Sequence, residues 1–399
     1  MLSYLAKIKQ AVESRPAELA KAREKGAKVV GYFCSYVPEE IIHALRLIPV
    51  RLEYGGDEHL VDIGGRYVSK NNCVFIREAV GMFAEKKDPF VRNSDKVAVA
   101  TTCLQIYRLA ELVNHFFQVP TAILVVPRSF YYPEGRKFFQ KEMGNFAREL
   151  ETFSGKKLDA GALRDSIELY KNIRQTLREI YKYQAKDPAI IDWRDVFQVI
   201  HAGFYLDREY YLSLLKYLLA ELMEEEKKVQ AGEVDALEEK PRILLAGSII
   251  ARGDNKIINM IDRMGGRIVA DDLCTGQRFF AGLEVKDYSL EGLADAYLDK
   301  VPCASLPYPF PLETDRRLAN LSQLIDECRA EGMIYHTLRY CDPFTFKANE
   351  TKQFFKDKVA FMEIHTEYAP SDEGAIMTRV EAFMELIFNL RASKKVLVK

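Results

Sequence analysis

Short apolar segments alternate with helical patterns in the first third of the chain. Residues 28–33 form an apolar run, and residues 39–45 then place apolar side chains at helical spacing. The same unit recurs where the apolar run 96–101 precedes a helical pattern over 106–113. Strand, turn and helix in succession predict a mostly parallel, doubly wound sheet.

The middle of the chain has a helical pattern, and the last third returns to alternating strands and helices. At 399 residues the chain is too long for one core. Strands are predicted in the last third at 241–247, 267–270, 333–335 and 358–364, and a final helix at 375–390. We therefore predict an α/β fold of two doubly wound lobes joined by a helical segment. The expected domains are an N-terminal lobe at 1–153, a helical bridge at 154–240 and a C-terminal lobe at 241–399.

The composition is that of a globular protein, with 48% hydrophobic residues and a formal net charge of −1. This charge gives no indication of binding to nucleic acid or to an anionic membrane. The stretch 1–28 is charged and amphipathic and is not expected to be a signal peptide, and no run of about 18 apolar residues predicts a transmembrane helix. We expect a cytoplasmic protein, in which reduced cysteines act as ligands or catalysts more often than as disulfides.

Cysteine is the residue type whose placement indicates chemistry. Six of the seven cysteines form two sets of three, one in each terminal third: Cys34, Cys73 and Cys103, then Cys274, Cys303 and Cys341. Four of them follow predicted strands, and ligands collect at the carboxyl ends of strands in open α/β sheets. The other two lie in a polar turn and in a proline-rich loop at 301–309. Cys328 continues an apolar helix face and is predicted to be core. We predict that at least four of the six bind a metal–sulfur centre in the cleft between the lobes.

The spacing of these cysteines bears on the metal. Zinc sites usually contain close pairs separated by about two to four residues, and the six include no such pair. Gaps of about 30 to 40 residues, together with soft thiolates and no His at ligand-pair spacing, favour iron–sulfur chemistry. Zinc, or simple packing of individual cysteines, remains an alternative.

Several acids and histidines lie near the cysteines in the sequence, but none identifies a catalytic residue. Glu39 and Glu40 could donate protons, although acids suit the positive end of a helix for structural reasons. Asp271 and Asp272 suit a helix cap equally well. His43 lies on the same predicted helix as the two glutamates and is expected to be packed or hydrogen-bonded.

Four segments of the chain resemble a known family. They read GYFCSYVPEEIIHALRLIPVRLEYGG, DDLCTGQRFF, RYCDPFTF and TEYAPSDEGAIMTRVEAFMELI. In content and order they resemble the 2-hydroxyacyl-CoA dehydratase and benzoyl-CoA reductase superfamily, over nearly the whole chain. The resemblance implies radical-type reductive chemistry, in which an iron–sulfur cluster receives a low-potential electron from a separate ATP-hydrolysing activator protein. Dehydratase subunits of the superfamily bind one [4Fe–4S] cluster with three cysteines, which here look like Cys73, Cys103 and Cys341.

Three ligands leave Cys34, Cys274 and Cys303 without a role. The double-cubane cluster proteins, a branch of this superfamily, are similar to the chain and carry an [8Fe–9S] centre. Two cubanes joined by one sulfide contain eight irons, of which six need outside ligands. The chain has six cysteines in two sets of three, so the resemblance favours the double cubane over a single [4Fe–4S] cluster.

The resemblance therefore implies a homodimeric, ATP-dependent reductase of small molecules, which an ATP-hydrolysing iron–sulfur activator protein would reduce. The chain contains no G-x-x-x-x-G-K-[ST] loop, so ATP hydrolysis is expected of the partner. One alternative is a [4Fe–4S] subunit of a 2-hydroxyacyl-CoA dehydratase. Another is a non-catalytic electron carrier or cluster-maturation component.

Overall fold

Two four-stranded sheets form the framework of the protein. The computed structural model describes residues 2–233, 240–306 and 312–397. The strands of the first sheet are β1 Val29–Phe33, β2 Ile48–Arg51, β3 Lys96–Ala100 and β4 Thr121–Leu124. The strands of the second sheet are β5 Arg242–Gly247, β6 Arg267–Asp272, β7 Gly332–Leu338 and β8 Ala360–Thr366. Residues 307–309, the end of the predicted proline-rich loop, lie outside the described residues.

Both sheets have the same strand order. The first runs β2-β1-β3-β4 and the second β6-β5-β7-β8, and every neighbouring pair is parallel. In each lobe the chain starts at an inner strand, adds a neighbour on one side and then crosses to the other. This reversal opens a crevice at the carboxyl ends of the inner strands, where ligands bind in open α/β sheets. The prediction of two doubly wound lobes is confirmed.

Helices cover both sheets. Those of the first two-fifths of the chain are α1 Ser3–Glu24, α2 Glu39–Ala44, α3 Glu58–Gly64, α4 Val74–Glu85, α5 Pro89–Arg92, α6 Leu104–Phe117 and α7 Pro133–Ser154. The later ones are α8 Ala160–Ala185, α9 Trp193–Ala202, α10 Arg208–Gln230, α11 Lys256–Arg263, α12 Leu290–Asp299, α13 Arg316–Glu327, α14 Asp342–Phe355 and α15 Glu373–Leu397. In the parts of the chain that the structure describes, no helix is both long and apolar enough to cross a membrane.

Helices α8, α9 and α10 occupy the interval predicted to be helical, and they contact both lobes. Arg174 in α8 forms a buried ion pair of 2.7 Å with Glu40 of the N-terminal lobe. On the other side, Tyr181 and Trp193 donate hydrogen bonds of 2.8 and 2.9 Å to the Asp271 carboxylate at the end of β6. Breaking one partner of such a buried contact is costly, so these helices hold the lobes in a defined orientation. The domain boundaries at residues 153 and 240 stay a prediction.

The lobes also contact each other directly, beside the carboxyl ends of their strands. The Gly55 N–H donates a hydrogen bond of 3.0 Å to the Arg252 carbonyl. Gly253 has a φ of 106°, and a Cβ at this residue would lie 2.4 Å from the Gly55 carbonyl oxygen. Only glycine permits both this φ and this close backbone approach. We call the contact between residues 54–56 and 252–254 the glycine junction.

Candidate functional site

The structure places the six predicted cysteines at the carboxyl-end edges of the sheets or in loops next to them. Cys34 and Cys274 follow β1 and β6, Cys303 follows α12, and Cys73, Cys103 and Cys341 immediately precede α4, α6 and α14. All seven cysteines of the chain are free thiols. Cys328 lies in the core with Leu318, Leu321 and Ile325, as predicted.

Cys73, Cys103 and Cys341 form one group, which we call the first triad. Cys341 donates a hydrogen bond to the Cys73 sulfur. Cys103 is close enough to interact electrostatically with both of them. Two of these cysteines come from the N-terminal lobe and one from the C-terminal lobe, so the triad is assembled by contact between the lobes.

Each cysteine of the first triad occupies the N-cap position of its helix. The backbone N–H groups of Ile76, Ile106 and Phe344 lie three residues further on and interact with the respective sulfurs. Each interaction acts to lower the pKa of the thiol and so stabilises the thiolate form. The positive end of a helix dipole has the same effect, and the thiolate is the form that binds metals. Three helices therefore direct their positive ends at one group of sulfurs.

Cys34, Cys274 and Cys303 form the second triad. Cys34 interacts electrostatically with the other two, and its sulfur lies 3.3 Å from Thr102 Oγ1. Its φ of 78° lies in the left-handed region, which costs a cysteine about 1 to 3 kcal/mol and which the surrounding fold must enforce. Cys103 of the first triad also interacts with Cys34 and Cys303. The two triads are therefore neighbours.

Two buried arginines contact the second triad. Arg51 Nη2 lies 3.5 Å from the Cys274 sulfur, and its Nη1 donates a hydrogen bond of 2.9 Å to the Cys274 carbonyl. Arg278 donates a hydrogen bond to the Cys303 sulfur. Arg51 and Arg278 are only 1% and 2% exposed. Buried charge needs a partner of opposite sign. Arg278 has one in Asp272, at 3.2 Å, while the Arg51 guanidinium faces the Cys274 sulfur.

Lys300 is a third buried cation beside the second triad. Its Nζ donates a hydrogen bond of 2.9 Å to the Ser35 carbonyl and lies 4.7 Å from the centre of the Tyr36 ring. Burial lowers the pKa of Lys300 to about 8, against the opposing attraction of Cys34. Among the described residues no carboxylate pairs with this ammonium group. A negatively charged group bound by the second triad would neutralise it.

The thiols fit a metal–sulfur group. Burial raises the pKa of Cys34, and it raises that of Cys103 to about 12. Within the hydrogen-bonded pair, the bond lowers the pKa of Cys73 and raises that of Cys341. Binding of a metal displaces such protons, because the metal–thiolate bond offsets the cost of burying the charge. A donor set of sulfur alone suits iron–sulfur clusters.

The cysteines are not arranged around a single ion. No three Cys, His, Asp or Glu side chains within residues 2–233, 240–306 and 312–397 converge closely enough to hold one metal ion. The cysteines of a cluster each bind a different iron, so they surround the group instead of converging on one point.

The acids near the cysteines in sequence have structural partners. The buried ion pairs are Glu39 with Arg208 at 2.7 Å, Glu40 with Arg174 at 2.7 Å and Asp272 with Arg278 at 3.2 Å. Asp271 accepts hydrogen bonds from the backbone N–H groups of Leu273 and Gln277. His43 Nδ1 lies 3.1 Å from Ser166 Oγ. These contacts account for the residues without a catalytic role.

The sequence does not identify Arg51, Arg278 and Lys300 as parts of the site. Arg51 nevertheless carries a signal, because it is a charged residue within a short apolar run that becomes the buried strand β2. Arg278 and Lys300 lie four residues after and three residues before cysteines of the second triad. Which sulfur each cation faces is decided by contacts between segments distant in sequence.

Comparison with known proteins places the chain among a set of related subunits. The family model described as 2-hydroxyglutaryl-CoA dehydratase, D-component, matches residues 34–387, a span that includes all six cysteines. The Escherichia coli K12 protein YjiM, named as a presumed dehydratase subunit, is 27% identical over 369 residues, which cover 92% of this chain and 93% of the relative. A benzoyl-CoA reductase subunit of Thauera aromatica is 27% identical over 325 residues, 81% of each chain. The β subunit of (R)-2-hydroxyglutaryl-CoA dehydratase of Acidaminococcus fermentans is 24% identical over 397 residues, 96% of this chain and 99% of the relative.

Proposed function

Because the chain belongs to the 2-hydroxyglutaryl-CoA dehydratase D-component family, we propose that it is an iron–sulfur enzyme that reduces small molecules at low potential. Relatives named as dehydratase and reductase subunits support an enzymatic role. The proposed cofactor is an [8Fe–9S] double-cubane cluster. Its proposed ligands are Cys34, Cys73, Cys103, Cys274, Cys303 and Cys341.

The second triad is the observation that carries this proposal. A single [4Fe–4S] cluster held by the first triad would leave Cys34, Cys274 and Cys303 next to the buried cations without a function. The strained backbone of Cys34 and the cost of burying Arg51 support a function for this group, since folds rarely maintain such features without one.

When bound, such a centre would accept low-potential electrons and deliver them to a substrate. The residues of this chain provide its surroundings. Helices α4, α6 and α14 place positive dipole ends at the first triad, and Arg51, Arg278 and Lys300 place positive charge at the second. Both features stabilise negative charge on thiolates and on an anionic group between them.

We further propose that electrons come from a separate ATP-hydrolysing iron–sulfur activator protein. The chain has no nucleotide-binding loop motif of its own, and the relatives are themselves subunits of larger enzymes. A homodimer in the cytoplasm is the proposed functional unit, with neither nucleic acid nor a membrane as partner.

The second candidate function is that of a [4Fe–4S] subunit of a 2-hydroxyacyl-CoA dehydratase. It is favoured by the full-length match to the 2-hydroxyglutaryl-CoA dehydratase β subunit. The first triad would supply the three ligands, and a non-identical subunit would complete the enzyme. The second triad would then be a matter of packing and charge.

Iron and acid-labile sulfide per chain, measured on protein purified without oxygen, separate these functions. We expect about eight irons and about nine sulfides. Cys34→Ser should lower the iron and the sulfide content per chain. Cys328→Ser changes the core cysteine, so it is the matched control and should leave both contents unchanged. About four of each in the wild type, with no loss in Cys34→Ser, would establish the single-cluster alternative.

An activity assay on the metal-loaded protein then tests whether it is a catalyst. We expect reduction of small molecules such as azide or hydrazine only when an ATP-hydrolysing activator, ATP and a reductant are present together. Consumption of a 2-hydroxyacyl-CoA thioester instead would favour the dehydratase. Full cluster content without either activity would support the electron-carrier alternative.

A further inference from the structure

Three buried oxygen atoms beside the glycine junction have no hydrogen-bond partner. They are Glu78 Oε2, Asp254 Oδ2 and the Tyr368 hydroxyl, in side chains that are 0%, 5% and 4% exposed. Buried polar atoms are nearly always paired, so three such atoms in one region need an explanation. We call Glu78 and Asp254 the carboxyl pair.

The glycine junction brings these side chains together. Glu78 interacts with the Gly56 N–H. The Asp254 Cα lies 3.2 Å from the position that a Cβ of Gly56 would take, and the Tyr368 hydroxyl lies 2.8 Å from the corresponding position at Gly55. Side chains of both lobes therefore meet on one glycine turn, and a larger residue in that turn would separate them.

The group lies beside the predicted cofactor site. Glu78 is in α4, the helix that begins directly after Cys73. Tyr368 interacts electrostatically with Asp254, Glu78 and Cys73. A tyrosine hydroxyl can both donate and accept a hydrogen bond, so it is suited to connect a carboxyl group with a site on its other side.

Burial favours the protonated form of the carboxyl pair, whereas the backbone N–H groups of Gly56, Asp57 and Lys256 favour the ionised form. Burial raises the pKa of Glu78 to about 9 and that of Asp254 to about 7. The charged and titratable groups that face the pair are Tyr54, Asp57, Lys256, Tyr368 and Asp372. Only Lys256 among them carries positive charge, and it acts on Asp254. Near neutral pH Glu78 therefore holds a proton and Asp254 exchanges one readily.

We propose that the carboxyl pair and Tyr368 form a proton store and relay that supplies protons for reduction beside the first triad. The proposal rests on the reductase function above and adds the source of its protons. Reduction of a substrate S follows S + 2e⁻ + 2H⁺ → SH₂. The electrons come from the activator and the protons from the two carboxyl groups, with the Tyr368 hydroxyl taking one proton as it passes another on. Water then reprotonates the carboxylates.

Infrared spectroscopy of the full, anaerobically purified chain tests the store without any turnover. A protonated carboxyl group has a C=O stretch distinct from that of a carboxylate, and it shifts in D₂O. We expect this band at pH 7 in the wild type, its loss in Glu78→Gln and its decrease in Asp254→Asn. Glu85→Gln changes an exposed glutamate at the end of the same helix and should leave the band unchanged.

Turnover tests the relay. A positioned proton donor contributes about 10²-fold or more to a rate. We expect Glu78→Gln and Tyr368→Phe to lower the reduction rate by about that factor at unchanged iron content, with a larger solvent isotope effect. Glu85→Gln should behave as the wild type. The reduction rate of the wild type should fall as the pH approaches 9. The residual reduction rate of Glu78→Gln should not show this fall.

The outcomes separate this inference from the proposed function. An infrared spectrum without the protonated carboxyl band, or one that neither variant changes, overturns the proton store whatever the metal content. A wild-type rate and isotope effect in both Glu78→Gln and Tyr368→Phe overturn the relay. Absence of a cluster overturns the proposed function, but leaves the infrared result as a separate finding about the carboxyl pair.

Discussion

Replacement of Glu78 by glutamine should remove the contribution of this residue to the pH dependence of stability above pH 5. The pKa of Glu78 rises from 4.5 to about 9 on folding, because the carboxyl group is buried. The folded chain therefore retains a proton that the unfolded chain releases. This contribution to stability is full below pH 4.5 and is lost progressively as the pH rises to about 9. At 1.36 kcal/mol per pH unit, the whole interval corresponds to about 6 kcal/mol as an order of magnitude.

The variant cannot lose a proton at this position, so its stability relative to the wild type should increase with pH. Between pH 5 and pH 8 we expect the difference in free energy of unfolding to change by about 4 kcal/mol in favour of Glu78→Gln. Urea denaturation, followed by the fluorescence of Trp193, the single tryptophan, measures it at each pH.

Glu85→Gln is the matched control, and its stability should parallel the wild type across the same range. Parallel pH dependence of Glu78→Gln and wild type would refute the argument, since it would mean that Glu78 is ionised or hydrated in the folded chain. A second variant, Asp254→Asn, should show the same sign over a narrower range, because the pKa of Asp254 rises only to about 7.

Three further substitutions test other parts of the structure. Lys300→Met removes a buried charge that lacks a carboxylate partner, so it should stabilise the metal-free chain and hasten cluster loss several-fold in a chelator challenge. Gly253→Ala should destabilise the chain by about 3 kcal/mol or more in urea, because its Cβ would clash with the other lobe, whereas Gly374→Ala, with open space around it, should be nearly neutral. Tyr181→Phe should cost about 2 kcal/mol in the same assay, since the hydroxyl both donates to and accepts from Asp271. A wild-type urea midpoint for Gly253→Ala or Tyr181→Phe, or an unchanged cluster lifetime for Lys300→Met, would contradict these expectations.

The edge strands of the first sheet show where the hydrophobic pattern stops being informative. It does not predict β2 and β4, which have four residues each. Pro49 lies within β2, and proline is tolerated in a sheet only at positions such as an edge. So short a segment offers too few positions for a periodicity, and its pairing with an inner strand supplies the missing information. The longer buried strands carry that information themselves, as continuous apolar runs.

The sequence by itself determined the fold class, the positions of the six cysteines next to strand ends and helix starts, and the superfamily. The fold class and the cysteine positions follow from local patterns of residues. The superfamily follows from the order of the motifs along the chain. The family resemblance already grouped Cys73, Cys103 and Cys341, and the tertiary structure shows that this group and the other three cysteines lie side by side. Two sets divided by lobe in the sequence become two triads that each combine both lobes, because the carboxyl ends of the two sheets meet at the glycine junction. The cations at the second triad and the carboxyl pair depend on the same meeting of distant segments, and no local pattern records such contacts.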